Sequence, residues 1–283
     1  SVLDQKYDDF EHIIVDGLSD DGTVDILKQH AHLKWISEKD EGQSDAMNKG
    51  FSLCTGDVVV YLNADDYFLP GAFKAVIDGF SEGADMVVGA VEVHPPEGEA
   101  MIITPQIQLR QMLWHWKEWE HHGGNRYSSS FPINPVQYFY RRTLQETTPF
   151  NASNDLAMDL EFLLAAAAQY NLVRIDDVLG VFDMHGDSKT VKHMADHSWK
   201  YWSCETFSFI DDYLQRFSKE ELIAFKNAQQ SGYCTHIHKS IRCSEALMSQ
   251  LRYLDKLPLK RHPIEKLKGF GRLLEIFREQ QQV

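Results

Sequence analysis

The sequence lacks the features that mark several common classes of protein. No apolar run approaches the roughly 18 residues of a membrane-spanning helix, and Ser1–Lys6 does not resemble a signal peptide. Neither the G-x-S-x-G turn of serine hydrolases nor the Walker A lysine loop occurs. The cysteines form no CxxC pair, which argues against a zinc site or a disulfide framework and favours a reducing, cytoplasmic location. They are Cys54, Cys204, Cys234 and Cys243.

The charge of the chain is unbalanced toward the acidic side. Among 283 residues there are 28 Lys and Arg against 42 Asp and Glu, a formal net charge of −14 at pH 7. We do not expect such a chain as a whole to bind nucleic acid or an anionic membrane. Hydrophobic residues make up 43% and charged residues 25%, which is the usual composition of a folded globular protein.

Strand and helix patterns alternate through the first two thirds of the chain. The expected strands are 11–16, 34–38, 57–62, 85–91, 136–140 and 172–182, and helices are expected after Thr23 and over about 42–53, 70–80 and 155–170. This alternation predicts an α/β fold with a mostly parallel sheet flanked by helices. Beyond about residue 190 only helical patterns occur, so we expect a domain over 1–190 and a helical extension over 191–283.

An acidic segment, Asn63-Ala64-Asp65-Asp66, directly follows the clearest strand, residues 57–62. Ligands of open α/β sheets bind at the carboxyl ends of the strands. Two adjacent carboxylates without a neighbouring Lys or Arg repel each other, and a divalent cation that also binds a diphosphate would relieve that repulsion. The alternative is an acidic turn that precedes the helix after Pro70.

Other polar residues occupy similar positions. Asp16 ends a strand in the same way, and Asp45 shares a helix face with Asn48, where both side chains can reach a ligand. Asp159 has partly apolar neighbours, which suits a general base. His185 follows the last strand and can bind a metal. The plainer alternatives are a turn or cap for Asp16, a solvated helix face for Asp45, a first-turn acid for Asp159 and an ordinary loop histidine for His185.

Three segments, taken in order, resemble family 2 of the inverting glycosyltransferases, which have the GT-A fold. They are residues 14–23 (Ile-Val-Asp-Gly-Leu-Ser-Asp-Asp-Gly-Thr), residues 38–50 (Glu-Lys-Asp-Glu-Gly-Gln-Ser-Asp-Ala-Met-Asn-Lys-Gly), and Gly56-Asp57 leading to Leu62–Asp66. The order, the spacing and the residue types all agree with the family. The resemblance covers roughly residues 1–190.

The resemblance implies a role for each candidate. Asp16 would contact the nucleotide base of the donor, and Asp65, in an Asn-Ala-Asp version of the DxD motif, would bind the metal on its diphosphate. Asp66 would support that metal or touch the ribose or sugar, Asp159 would activate the acceptor, and His185 would lie near metal and phosphate. The expected donor-binding residues are Asp16, Asp45, Asn63 and Asp66, and the expected metal ligands are Asp65 and His185.

The resemblance therefore implies an inverting glycosyltransferase that uses Mn²⁺ or Mg²⁺. It would move a sugar from a nucleotide-sugar donor to a hydroxyl of a glycan or lipid-linked acceptor, in polysaccharide or glycan biosynthesis. One alternative is a non-catalytic nucleotide-sugar-binding homologue or scaffold, and another is a nucleotidyltransferase on a similar sheet. Family members normally begin with a further strand and helix before the segment that resembles Ser1–Gln5, so the resemblance also implies an N-terminally incomplete domain.

Two segments outside the family motifs carry further hypotheses. Trp114, Trp116 and Trp119 do not form a helical stripe, so we expect at least one to stack on a sugar of the acceptor; packing against the helical extension is the alternative. In residues 252–278, Lys and Arg are interleaved with apolar side chains. This pattern predicts a peripheral contact with the inner face of an anionic membrane, unless the basic face folds back onto the acidic domain.

Overall fold

A computed structural model of the chain describes residues 1–80, 83–109, 112, 132–154, 158–188 and 191–192. In these residues, strands and helices alternate broadly as the sequence predicts. The strands are β1 His12–Asp16, β2 Leu33–Ser37, β3 Val58–Val59, β4 Tyr67–Phe68, β5 Met86–His94, β6 Met101–Ile103, β7 Tyr138–Arg141 and β8 Leu172–Asp183. The helices are α1 Thr23–Leu27, α2 Gln43–Leu53, α3 Ala72–Phe80, α4 Arg142–Thr147 and α5 Met158–Gln169, and short 3-10 turns occur at Leu3–Gln5 and Pro135–Gln137.

The described strands form two sheets. Strands β1 and β2 are parallel, with Asp16 opposite Ser37. The larger sheet has six strands in the order β3-β7-β5-β8-β4, and β6 pairs with β5. Strands β5 and β8 are parallel, whereas β7 is antiparallel to β3 and β5, and β4 is antiparallel to β8. The larger sheet is thus mixed. The sequence predicted a mostly parallel sheet, and the prediction is wrong in this detail. Strand β6 shows one reason, because the short connection from β5 permits only an antiparallel return.

Helices cover both faces of the larger sheet, as the side chains of β7 show. The Phe139 ring lies 5.7 Å from that of Phe73 in α3, while the Tyr140 ring lies 4.9 Å from that of Phe162 in α5. Successive side chains of a strand point to opposite faces, so α3 and α5 pack on opposite sides. The core on the α3 side contains Phe68, Ala72, Val76, Phe80, Val87, Val91, Val93, Val136, Phe139 and Leu179.

Strands β3, β5 and β8 all point in the same direction. This follows because β7 is antiparallel to both β3 and β5, and β5 is parallel to β8. Their carboxyl ends therefore lie at one edge of the sheet, where the backbone nitrogen of Met184 donates to the carbonyl of His94 at 2.9 Å. The acidic segment after β3 and the histidine segment after β8 both start from this edge.

Some predictions concern residues that the structure does not describe. The helical extension beyond residue 192, the basic segment 252–278 and the three tryptophans Trp114, Trp116 and Trp119 all lie outside the described residues. The domain boundary at 190 likewise stays a prediction. Within the described part of the chain, no helix is both long enough and apolar enough to cross a membrane.

Candidate active site

Asp66 is a buried carboxylate that accepts hydrogen bonds from three surrounding groups. The side-chain amides of Asn63 and Asn134 donate to its Oδ2 at 2.9 and 2.8 Å, and the backbone nitrogen of Asp183 donates to its Oδ1 at 3.1 Å. Burial raises the pKa of Asp66, while these hydrogen bonds favour the ionised form. Asp66 thereby fixes the turn after β3 and holds the end of β8 against that turn.

Asp65 and His185 form a partly exposed pair at the same edge of the sheet. The Nε2 atom of His185 lies 2.7 Å from the Oδ2 atom of Asp65, and the backbone nitrogen of Asp187 donates to Nδ1 at 3.2 Å. Because Nδ1 accepts a hydrogen bond, we assign the proton of the neutral ring to Nε2, from which it is donated to Asp65. The sequence predicted both residues as metal ligands, and the structure brings them into contact.

The chemistry of this pair fits a divalent cation that is shared with a bound ligand. Among the residues that the structure describes, no group of three or more His, Cys, Asp and Glu side chains is arranged to hold a metal. Mg²⁺ in phosphate-processing sites is usually bound through one or two carboxylates together with phosphate oxygens. Asp65 and His185 would thus supply the protein ligands, since the oxygens of Asp66 already accept hydrogen bonds from the protein.

The first residues of α2 connect the Asn63 turn to the start of α5. The side-chain amide of Gln43 donates to Asn63 Oδ1 at 3.2 Å. The hydroxyl of Ser44, the next residue, lies 2.8 Å from the sulfur of Met158 and 3.1 Å from the carbonyl of Asn154. Two consecutive side chains therefore contact the candidate metal turn and the helix that carries the candidate base.

Asp159 lies in the first turn of α5, directly after Met158. One of its carboxylate oxygens, Oδ1, accepts a hydrogen bond from the backbone nitrogen of Leu160 at 2.8 Å. Ser44 therefore connects the α2 N-terminus to the residue that directly precedes Asp159. Asp155, which the sequence places at the start of this helix, is outside the described residues.

Asp45 and Asn48 both have partners within the protein. Asp45 accepts from the backbone nitrogen of Glu41 and pairs with Lys49, both at 3.0 Å, and the Glu41 bond is the main cause that lowers the pKa of Asp45. Asn48 exchanges hydrogen bonds with the backbone of Phe150, at 2.8 and 3.2 Å. Asp45 thus stabilises the start of α2, Asn48 attaches that helix to residue 150, and the donor-binding role of Asp45 stays a prediction.

Asp16 is buried at the carboxyl end of β1. It accepts hydrogen bonds from the Ser19 backbone nitrogen at 3.2 Å and the Ser37 hydroxyl at 2.6 Å, and the bonds from these two residues lower its pKa. The next residue, Gly17, approaches Asp40 so closely that an added Cβ would lie 2.6 Å from Asp40 Oδ2. Asp16 is therefore ionised at neutral pH in a position where ligands of such sheets bind.

The sequence did not reveal every residue that builds this site. Asn134 precedes Pro135 and caps the short turn before β7, a signal that can be read locally. Its bond to Asp66 joins residues 68 positions apart, and that contact has no local signal. Gln43 and Ser44 lie within a family-like segment, but their contacts with Asn63 and Met158 likewise depend on the tertiary fold.

Comparison with known proteins identifies the family. Residues 1–144 match the family model described as "Glycosyl transferase family 2". The chondroitin synthase of Escherichia coli is 23% identical over 198 residues, which are 69% of this chain and 27% of that protein. A PGL/p-HBAD biosynthesis glycosyltransferase of Mycobacterium bovis is 37% identical over 99 residues, 32% of this chain and 39% of that protein. The chain thus spans well under half the length of these two relatives.

Solved structures of S. aureus TarS share the fold. TarS 1–349 has a TM-score of 0.51 at 18% identity, covering 64% of this chain and 54% of that one. Its complex with UDP-GlcNAc has a TM-score of 0.52 at 16% identity, covering 68% and 54%. Its complex with UDP has a TM-score of 0.51 at 17% identity, covering 98% and 85%. The fold and the family motifs therefore agree with the sequence prediction, and the chain belongs to glycosyl transferase family 2, with the GT-A fold.

Proposed function

We propose that this protein transfers a sugar from a UDP-sugar to an acceptor hydroxyl, with inversion at the anomeric carbon and with the help of Mn²⁺ or Mg²⁺. One observation carries the proposal: the start of α2 bonds both the turn that presents Asp65 and the helix that presents Asp159. A candidate site for the diphosphate and a candidate base thus flank one helix N-terminus. The UDP-GlcNAc and UDP complexes of TarS support UDP as the nucleotide.

Different residues of the chain have different roles in the proposed reaction. Asp65 and His185 would hold the cation, which offsets negative charge on the leaving diphosphate when bound. Asp159 takes the proton of the acceptor hydroxyl while the oxygen of that hydroxyl attacks the anomeric carbon. The bond from the anomeric carbon to the diphosphate oxygen breaks and UDP leaves. One displacement inverts the anomeric carbon, so the reaction needs no covalent intermediate with the protein.

The donor is proposed to lie along the carboxyl ends of the strands. Asp16, which is ionised and buried at the end of β1, would accept from the N–H of the nucleotide base. Asn63 and Asp66 shape the turn beneath the diphosphate and sugar, and Asp45 steadies the helix start beside them. Helix α2 packs on β1 and contacts Asn63 through Gln43, so it links the nucleotide end of the proposed site to the metal end.

The acceptor is proposed to be a glycan or a lipid-linked glycan. The names of the relatives support this class, since one is a chondroitin synthase and another acts in PGL/p-HBAD biosynthesis. A cytoplasmic location with peripheral membrane contact would suit a lipid-linked acceptor. That part of the proposal depends on the basic segment 252–278.

The proposal is tested by donor binding and donor turnover with the full chain. Calorimetry with UDP, in Mn²⁺ and in EDTA, should show tighter binding in Mn²⁺. A panel of UDP-sugars should then identify one from which UDP is released, and release should increase with a glycan acceptor. Equal UDP affinity in Mn²⁺ and EDTA would contradict metal assistance. Binding of UDP without release from any UDP-sugar would instead support a non-catalytic homologue.

A further inference from the structure

Tyr138 is fully buried, yet its hydroxyl has no hydrogen-bond partner within the described part of the chain. Its ring stacks on that of Tyr140 at 6.3 Å and lies 6.4 Å from that of Phe162 in α5. A buried hydroxyl without a partner destabilises a folded protein, and phenylalanine would fill the same space without that cost. The hydroxyl of Tyr138 therefore needs an explanation beyond packing.

The neighbouring tyrosines do not share this property. The hydroxyl of Tyr140 donates to Gln145 Oε1 at 2.7 Å, and that of Tyr61 donates to the carbonyl of Met47 at 2.8 Å. Both belong to one hydrogen-bonded group around Gln145. Tyr138, two residues before Tyr140 on the same face of β7, lies outside this group, and Tyr140 can serve as its matched control.

Among the described residues of α5, Asp159 is a charged residue whose charge acts on the Tyr138 hydroxyl. Asp159 and Phe162 are three residues apart and share one face of the helix, and the Phe162 ring lies against Tyr138. Burial raises the pKa of the Tyr138 hydroxyl, and the charge of Asp159 adds to that effect. The hydroxyl thus keeps its proton and can donate it toward the carboxylate.

We propose that Tyr138 is a positioning residue for Asp159: its hydroxyl donates, through one bridging water, to the carboxylate and fixes the orientation from which Asp159 takes the acceptor proton. This inference rests on the proposed role of Asp159 as the base. Water-mediated bonds of this kind commonly join polar groups that do not touch directly. The titratable groups facing Tyr138 are Asp159 on α5, Tyr61 after β3 and Tyr140 on β7, and burial raises the pKa of both other tyrosines.

The first test measures the Tm of the full chain without substrate in two double-mutant cycles. One cycle combines Tyr138→Phe with Asp159→Asn, and the other combines Tyr140→Phe with Asp159→Asn. With Asp159 present, Tyr138→Phe should lower Tm by about 2–4 °C, because a bond to a carboxylate is lost. In the Asp159→Asn background the same change should leave Tm unchanged or raise it. Tyr140→Phe should lower Tm equally in both backgrounds. If Tyr138→Phe raises Tm equally in both, the hydroxyl has no bond to Asp159 and the inference is wrong.

The second test is the pH profile of UDP release from the UDP-sugar that the panel described above identifies as the donor. A donated hydrogen bond stabilises the ionised carboxylate, so Tyr138→Phe should move the acidic limb of the profile upward by about 1 pH unit and lower kcat about tenfold. The donor KM should not change, and Tyr140→Phe should leave the limb in place. An unmoved limb in Tyr138→Phe, together with an inactive Asp159→Asn, overturns this inference alone. A fully active Asp159→Asn overturns the proposed base and this inference with it.

Discussion

His185 Nε2 lies 2.7 Å from Asp65 Oδ2, although 120 positions separate the two residues in the sequence. The pair forms because β3 and β8 end at the same edge of the sheet and Asp66 bonds the backbone at Asp183. Its partial exposure leaves it open to a ligand from solution: the two side chains are 45% and 37% exposed. The structure thus presents one carboxylate and one imidazole together at the proposed diphosphate site.

Loss of either member of this pair should weaken metal-dependent donor binding. We expect Asp65→Asn and His185→Gln each to reduce the affinity for UDP in Mn²⁺ by about tenfold or more, the scale of effects at metal sites. In EDTA, both variants should bind UDP as the wild type does. Asp176→Asn, an exposed carboxylate on β8, is the control for loss of one negative charge. Calorimetric affinities that are unchanged in Mn²⁺ would show that the pair does not bind the cation.

Removal of the basicity of Asp159 should slow transfer strongly while donor binding persists. Asp159→Asn keeps the shape of the side chain, and transfer should fall about 100-fold or more, the usual range for loss of a general base. The matched change is Glu161→Gln, two residues on in α5. Glu161 accepts from Asn154 at 2.8 Å, so that variant should lose stability rather than kcat. If steady-state rates fall in Glu161→Gln while Asp159→Asn loses only Tm, Glu161 is the base instead of Asp159.

The buried Asp66 should depend on its amide donor from Asn134. Asn134→Ser keeps an oxygen for the cap at Val136 but removes the donor to Asp66, which lies 2.8 Å away. We expect the free energy of unfolding at pH 7 to fall by about 1–3 kcal/mol, the cost of a buried group that loses its bond. UDP binding in Mn²⁺ should weaken as well.

The loss of stability in Asn134→Ser should depend on pH in a defined direction. Burial raises the pKa of Asp66, so the ionisation of Asp66 lowers the stability of the folded state as the pH rises. The hydrogen bond from the Asn134 amide contributes most when the Asp66 carboxylate is ionised. The loss in Asn134→Ser should therefore be larger at pH 7 than near pH 4, measured by urea denaturation. Asn151→Ser, where the amide donates to Glu161 at an exposed position, is the matched control and should have a small effect. Equal losses at both sites would exclude a special role for Asp66.

Glu11 should make stability sensitive to acid. Its carboxylate pairs with Lys34 and accepts hydrogen bonds from the Thr55 hydroxyl and from the backbone nitrogens of Thr55 and Gly56. The bond from Lys34, followed by those from Thr55, lowers the pKa of Glu11 from 4.5 to about 2. A lowered pKa contributes stability that is present above the unfolded value and lost as the pH falls through the folded value. Glu11→Gln should thus reduce the free energy of unfolding by about 1–2 kcal/mol at pH 7.

This difference should shrink as the pH falls from 4.5 through about 2, because the wild-type carboxyl is protonated in both states only below its folded-state pKa. Urea denaturation at several pH values measures it. Asp25→Asn removes a carboxylate whose pairing with Lys28 is exposed, so its effect should be close to zero at every pH. A Glu11→Gln effect that does not vary with pH would contradict the acid sensitivity.

The longer elements could be predicted from the sequence because their patterns are strong. Helix α2 begins at Gln43 and ends at Leu53, and β8 runs over Leu172–Asp183, both within a residue or so of the expected bounds. The run 57–62 behaves differently, since only Val58 and Val59 pair with β7. Val60 and Leu62 pack against the core instead. A run of apolar residues indicates that a segment is buried, but it does not indicate that the segment pairs with another strand. Strands as short as Tyr67–Phe68 have too few residues to show a period.

The candidate site could be predicted as a set of residues but not as a set of contacts. Asp65, Asp66 and His185 stand out because polar side chains follow buried strands, and the structure places all three at one edge. The partner of Asp66, Asn134, could not be predicted, because no local pattern records which amide meets a distant carboxylate. Asp45 and Asn48 were expected to face one ligand. Asp45 instead accepts from the backbone of Glu41, just before α2, and Asn48 donates to the backbone of the distant Phe150. The roles of all these residues in binding and transfer stay predictions.

The hydrogen bonds that complete the site impose an order on its formation. Ser44 meets Met158, Asp66 meets Asp183 and Asp65 meets His185 across 114, 117 and 120 positions. Contacts between such distant residues form only after the intervening chain exists and its loop has closed, which makes them slow. During synthesis, Asp65 therefore leaves the ribosome long before its partner, and the half that bears it cannot assemble the pair. An unfinished chain that ends before β8 would therefore carry Asp65 without His185, the other proposed metal ligand.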